Sequence, residues 1–401
     1  MINQDTDRQQ STVRPGYLAA AGVFAVGMMG TTLPTPLYGL YREQIGFSEL
    51  IVTVVFAVYA IGVIAALLLA GGFSDVLGRR PVLLCALGLA ALSAVCFLLA
   101  GGLPLLFTGR VLSGLSAGLL SGTGTAAVLE LAPAGRSARA GFAATAANMG
   151  GLGLGPLVAG TLAQYAPWPL RLPFLTHLAL LTAAVAVTAL LPETVHRSGA
   201  RPPLRPQGMV VPAEVRGVFA PSALAAFAGF SLLGLFTALT PAFLTQTLGV
   251  HNLAVTGAVV FCVFCASACG QLLMGPVGTR NALPVGCLML VAGLLVVGSS
   301  LLLASLPVLL LGAVTGGTGQ GLAFRAGLSV VSTAAPSTHR GATISAFFVV
   351  AYTGISVPVI GIGALATALG LRNAGLVFTG CVTLLAATAG SYLSRHPPAH
   401  T

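Results

Sequence analysis

Few side chains in this 401-residue chain have the type and spacing to do chemistry. Between two apolar runs stands Gly71-Gly72-Phe73-Ser74-Asp75-Val76-Leu77-Gly78-Arg79-Arg80, an acid set four residues ahead of a basic pair among turn-forming glycines. Asp75 suits the free N–H groups at a helix start, where the helix dipole favours an anion. The apolar run that opens near Gly341 is the expected partner. Arg79 is expected to pair with Glu130, at the end of another apolar run. Arg110, in Arg110-x-x-x-Gly114-x-x-x-Gly118, and Arg325 lie inside apolar runs, a costly placement that marks a functional site by default. His177 is the histidine set well inside such a run, and imidazole suits a proton switch. Cys262 and Cys265 form a C-x-x-C, but all seven cysteines lie in apolar runs, where a thiol behaves as a small hydrophobe. No metal centre is expected.

The elements that must hold these groups follow from composition. Hydrophobic residues make up 56% of the chain and charged ones 6%, and mean hydropathy is +0.97. Soluble domains carry about a quarter charged residues, so an ordinary soluble protein is excluded. At about 20 apolar residues per crossing, the pattern reads as twelve spans: 16–40, 51–71, 81–101, 105–130, 140–164, 172–191, 218–246, 252–275, 282–303, 305–333, 342–368 and 373–393. Residues 1–15 and 394–401 read as tails. The connector 192–216, with four Arg and five Pro, reads as a linker between a bundle over 16–191 and another over 217–393.

All 18 basic residues are Arg. With both termini in the cytoplasm, thirteen of them fall in inner loops, and Arg42, Arg171 and Arg372 fall outside. That bias sets the expected topology and accounts for the net charge of +10 without nucleic acid. A shift of 203 residues superposes the halves, placing Leu103-Pro104 on Leu306-Pro307, Gly114 on Gly317, Gly118 on Gly321 and Gly151 on Gly354. Parallel six-helix repeats with a path between them are a transporter design.

The loop Gly71 to Arg80 resembles the signature loop of the major facilitator superfamily, with Val76 where a basic residue is common. The resemblance implies a cytoplasmic latch, active when the carrier is open outward, built here on Gly71, Asp75, Gly78, Arg79, Arg80 and Glu130. Arg110 with its glycines is similar to the second superfamily motif, whose Arg is linked to proton transfer in antiporters. Gly151-x-x-x-Gly155-Pro156-x-x-Ala159-Gly160 resembles the antiporter motif of drug/proton exchangers, and Pro156 is expected to bend its helix. The implied fold is an all-α membrane protein with twelve transmembrane helices in two pseudo-symmetric six-helix bundles.

In the spans that line the cavity of this superfamily, the first-half candidates are Met28, Thr32, Tyr38, Tyr59, Asn148 and Met149. Those of the second half are Phe230, Phe236, Thr237, Gln271, Gln320, Phe324, Arg325, Phe347 and Tyr352. Their apolar, aromatic and weakly polar character favours a small amphipathic substrate. The expected function is proton-coupled efflux by alternating access in the cytoplasmic membrane, by a monomer without cofactor, with Arg110, Glu130 and His177 as coupling candidates. The span interiors contain no carboxylate, Glu130 standing at a span end, which keeps open a uniporter or an organic-anion or metabolite carrier without proton coupling. Arg110 and Arg325 are expected to differ in depth by roughly 20 Å at 1.5 Å per helical residue, too far to clamp one small anion. With no Lys there is no nucleotide loop of the G-x-x-x-x-G-K type, and no catalytic constellation stands out, so an enzyme is not expected.

Overall fold

A backbone that crosses hydrocarbon must satisfy its own polar groups, and helices do so within a single segment. The computed structural model of the chain describes residues 16–70, 72–195 and 208–395. Gly71 of the signature loop, the tails 1–15 and 396–401, and linker residues 196–207 lie outside the described residues. Twelve helices are long and apolar enough to cross a membrane. Spans 1 to 6 are Gly16–Ile45, Glu49–Leu69, Arg79–Leu98, Leu103–Glu130, Ser137–Tyr165 and Leu172–Leu190. Spans 7 to 12 are Ala213–Ala238, Leu253–Leu272, Thr279–Leu303, Leu306–Ala334, Arg340–Leu369 and Leu371–Arg395. Successive spans alternate in direction, so both chain ends lie at one face, here called the terminal face, and the other is the distal face.

Local chemistry sets the ends. Spans 4, 6 and 10 each begin with Leu-Pro, where proline's missing N–H costs nothing. Span 8 is capped by Asn252, whose side chain accepts hydrogen bonds from the N–H groups of Ala254 and Val255. Span 1 is not the continuous helix over 16–40 that its apolar run suggests. Its first helix ends at Thr32, a short turn spans Thr35–Leu37, and a second helix runs from Tyr38 to Ile45, because Pro34 and Pro36 cannot donate to the ladder. Span 7 likewise stops at Ala238, and Pro241 opens a separate short helix, Thr240–Gln246. Pro156, in contrast, sits inside an uninterrupted helix.

The two six-helix bundles meet along spans 2 and 11 and along spans 5 and 8. Small residues make the closest approaches. Gly151 and Gly155 of span 5 lie against the backbone of span 1 at Ala25 and Met29, while Gly160 lies against Leu253 of span 8. Within the second bundle, a Cβ at Gly321 would run into the carbonyl of Ser267, whereas Gly361 faces open space. Gly321→Val is expected to lower the unfolding midpoint in detergent, at roughly 1–3 kcal/mol for overpacking. Gly361→Val serves as the matched control, with its midpoint in place.

Candidate substrate cavity and gates

Between the bundles lies a cavity of about 600 Å³. Its wall starts at Phe56 and Arg110, about two turns into spans 2 and 4, and at Thr237 by the distal end of span 7, and reaches Leu67, Leu129 and Gly141 near the terminal-face ends of spans 2, 4 and 5. From the first bundle it collects the expected Met28, Thr32, Tyr59, Asn148 and Met149. The second bundle supplies the expected Phe230, Thr237, Gln271, Phe324, Arg325 and Tyr352. Arg110 and Arg325 therefore share one cavity, and among the described residues no acid lines it.

Four of the expected lining residues lie elsewhere. Tyr38 lines a separate distal cavity of about 450 Å³, because the break in span 1 turns it away. Phe236 points outward, towards Val297 and Leu309 of spans 9 and 10. Gln320 is buried and accepts a hydrogen bond from Ser267 at 2.6 Å. Phe347 is fully buried behind Phe324 and Phe348. Thr31, Ser121 and Thr125 join the wall instead; helices apolar on every side gave no periodicity to find them.

Arg110 is 1% exposed. Its Nη1 donates to the Thr31 carbonyl of span 1 at 2.6 Å, and Nη2 donates to the Phe56 carbonyl of span 2 at 3.3 Å. The guanidinium carbon lies 5.0 Å from the ring centroids of both Phe56 and Tyr59, a cation–π geometry. Its Nε has no partner. His177 is buried apart from the main cavity, with Nε2 3.0 Å from the Val26 carbonyl. It lines a cavity of about 10 Å³ between spans 1, 3, 4 and 6.

At the distal face the bundles are joined. Glu49 pairs with Arg42, and the same carboxylate oxygen accepts a hydrogen bond from Gln246 of the second bundle. Gln164 accepts from the Leu253 N–H at 2.8 Å, and Asn252 donates to the Tyr165 hydroxyl at 3.1 Å. Below them Thr53 of span 2 abuts Gly363 of span 11. None of this seal stood out in the sequence, because its partners are far apart in the chain, 197 residues for Glu49 and Gln246.

At the terminal face the signature loop forms a cluster within the first bundle. Arg79 donates from Nη1 to Asp75 at 2.6 Å and to Ser74 at 2.6 Å, and from Nη2 to Glu130 at 2.7 Å. The Arg79–Glu130 pair stands where expected. The partner expected for Asp75 does not: its carboxylate, 65% exposed, bonds Arg79 and not the start of span 11. The cavity separates the bundles at this end, so the neighbouring guanidinium is the cation within reach.

Glu193, missed in the sequence because it follows span 6, accepts from the Arg79 and Arg80 N–H groups at 2.8 and 3.1 Å, capping span 3. Arg80 enters the cluster through that N–H. Gly78 has φ of +100°, and a Cβ there would meet the Glu193 carboxylate. The second half repeats the shape without the acid, with a short helix Met274–Val277 and Gly278 at φ of +81°.

The fold, the cavity between paired bundles and the signature loop together define a membrane transporter rather than an enzyme. The family model of the Major Facilitator Superfamily matches residues 20–297, and the chain belongs to that superfamily. A curated relative, the putative multidrug resistance protein MdtD of Salmonella typhi, is 29% identical over 153 residues. That match spans 38% of this chain and about a third, 32%, of the relative's length. Among solved structures, the human organic anion transporter MFSD10 is 18% identical with a TM-score of 0.66, over 94% of this chain and 99% of the other. A POT family transporter in complex with a thioalcohol-conjugated peptide reaches 0.76 at 11% identity, over 95% of each chain.

Two outcomes follow from the gates. A hydrogen bond contributes about 0.5–1.5 kcal/mol net, so Glu49→Ala, which removes the bond to Gln246 across the bundles, should raise the population open at the distal face roughly two- to twelvefold. Spin labels placed at the exposed positions Gln44 and His251 would register this as growth of the long-distance component. Gly78→Ala should destabilise the fold by roughly 1–3 kcal/mol of backbone strain, read in detergent unfolding. Gly72→Ala, with φ of −105° and open space around it, is the neutral comparison.

Proposed function

We propose that the chain is a secondary carrier that works by alternating access and exports small amphipathic compounds in exchange for protons. The observation that carries this reading is the 600 Å³ cavity, reaching from Arg110 to the terminal-face helix ends and closed beyond by the contacts of Glu49, Gln246, Thr53 and Gly363. The described loops and ends at the terminal face are rich in Arg, which supports placing that face in the cytoplasm of an inner membrane. The cavity then opens to where an exporter collects its cargo. Its wall of aromatic, Met, Ser, Thr and Asn side chains suits compounds with an apolar body and few polar groups.

For the proton, the reading rests on Arg110 and on Glu130, which follows the wall residue Leu129 at the cavity mouth. His177 is set apart from the cavity and takes no part in this scheme. A second reading, transport without protons, is favoured by one observation: among the described residues the cavity wall contains no carboxylate. In either case the carrier acts as a single chain, since both bundles that form the cavity are its own.

The test is movement of fluorescent amphipaths in proteoliposomes, with and without an imposed pH gradient, for the wild type and Arg110→Ala. Exchange predicts gradient-driven movement that falls at least tenfold in the variant, which leaves the Thr31 carbonyl at the end of its helix without the donor it has here. Movement indifferent to the gradient overturns proton exchange and selects the second reading.

A further inference from the structure

The cavity holds a cation that nothing in the fold uses. Arg325 of span 10 is exposed on the cavity wall, and among the described residues it has no ion pair and no hydrogen bond. Nothing in span packing requires an arginine there, and a free guanidinium at membrane depth is expensive. Beside it stands a second free donor. Gln271 of span 8 is 8% exposed, lines the same cavity, and its Nε2 has no partner.

The register of the two helices brings these donors level. Spans 8 and 10 run in the same direction; Val263 abuts Gly317 and Ser267 abuts Gly321. Gly270 abuts Thr318, and about one turn beyond Ser267 and Gly321 the side chains of Gln271 and Arg325 line the same cavity. On the same wall lies a cluster of rings: Phe230, Phe324, Phe348 and Tyr352 meet in succession, tilted or edge-to-face except for the stacked Phe348–Tyr352 pair, with centroids 5.2 to 6.4 Å apart. The described carboxylates at the cavity's mouth are already engaged, Asp75 and Glu130 by Arg79, and Glu193 by the start of span 3.

Apart from the Nε of Arg110, which is 1% exposed, the cavity offers two unsatisfied donors, one of them cationic, and among the described residues no acid; with its aromatic wall it is complementary to an anionic headgroup on a flat apolar body. Resting on the carrier reading above and sharpening it, we propose that the substrate is an amphipathic organic anion. Its carboxylate or sulfonate sits on Arg325 and Gln271, and its ring system packs on Phe230, Phe324, Phe348 and Tyr352. Arg110 is not the headgroup's seat, because two of its nitrogens are already held by carbonyls.

Two impermeant probes of matched size and opposite fixed charge decide the matter: 2-naphthalenesulfonate and 2-naphthyltrimethylammonium. Counterflow into phosphatidylcholine proteoliposomes preloaded with unlabelled probe reports carrier exchange whatever the driving ion, and the zwitterionic lipid removes anionic headgroups as rival occupants. The wild type should exchange the sulfonate with at least tenfold preference over the ammonium. Arg325→Gln should raise KM for the sulfonate about tenfold, the scale of a hydrogen bond to a charged group. Arg325→Lys should recover most of the loss, and Arg280→Gln, which removes an exposed charge at the start of span 9, should leave the preference in place. Exchange of the ammonium but not the sulfonate overturns the anion proposal and leaves the carrier reading standing. Exchange of neither probe overturns both.

Discussion

The hydrogen bond from Arg110 to the Thr31 carbonyl ties the first bundle together and depends on a defect in span 1. The helix of span 1 stops at Thr32 because Pro34 and Pro36 cannot continue it. Carbonyls of the last turn are left without intrahelical partners. Arg110 supplies one partner, and its second Nη reaches span 2 at Phe56. A buried charge is tolerated when hydrogen bonds and aromatic faces take the place of water. The proline break, the buried arginine and the meeting of spans 1, 2 and 4 are thus one arrangement, in which each part removes the cost of the others.

The same constraint explains the rest of the packing. Lipid is as apolar as leucine, so burial of apolar surface does not drive helices together there. What remains is close contact and internal hydrogen bonding. Glycines face the backbone of a neighbour at span 5 against span 1 and at span 10 against span 8. Most Ser and Thr hydroxyls return to a carbonyl one turn back, as Thr237 does to Leu233 and Ser231 to Phe227. Such contacts carry little charge and little direction, which lets two bundles slide and tilt against each other.

What the sequence disclosed follows from these forces. Twelve apolar runs and the 203-residue repeat were legible, because hydropathy and the spacing of Leu-Pro and Gly are local properties. The Arg79–Glu130 pair was legible too, since both ends of the contact lie where spans 3 and 4 meet the same face. Glu193 and the Glu49–Gln246 contact were not, because neither has a local pattern. Tyr38, Phe236, Gln320 and Phe347 were misplaced for a different reason. When a helix is apolar all round, its rotation is fixed by packing against neighbours, and residue type no longer tells the cavity side from the buried side.

The two faces of the carrier are closed by different physics, and that difference fits the proposed cycle. The distal seal combines Glu49, exposed to solvent and therefore weakly held, with close glycine contacts at Gly363 and Gly160. At the terminal face the acid of the signature loop is not spent on the second bundle; Asp75 is held ready by Arg79 in a cluster internal to the first. Closing that face would bring the start of span 11 to an exposed carboxylate, exchanging solvation for N–H groups at a helix end. Each closure then replaces interactions of comparable, modest strength. A carrier needs that balance, because a face sealed by several kcal/mol more than its opposite would leave the other conformation populated by less than about one molecule in a hundred.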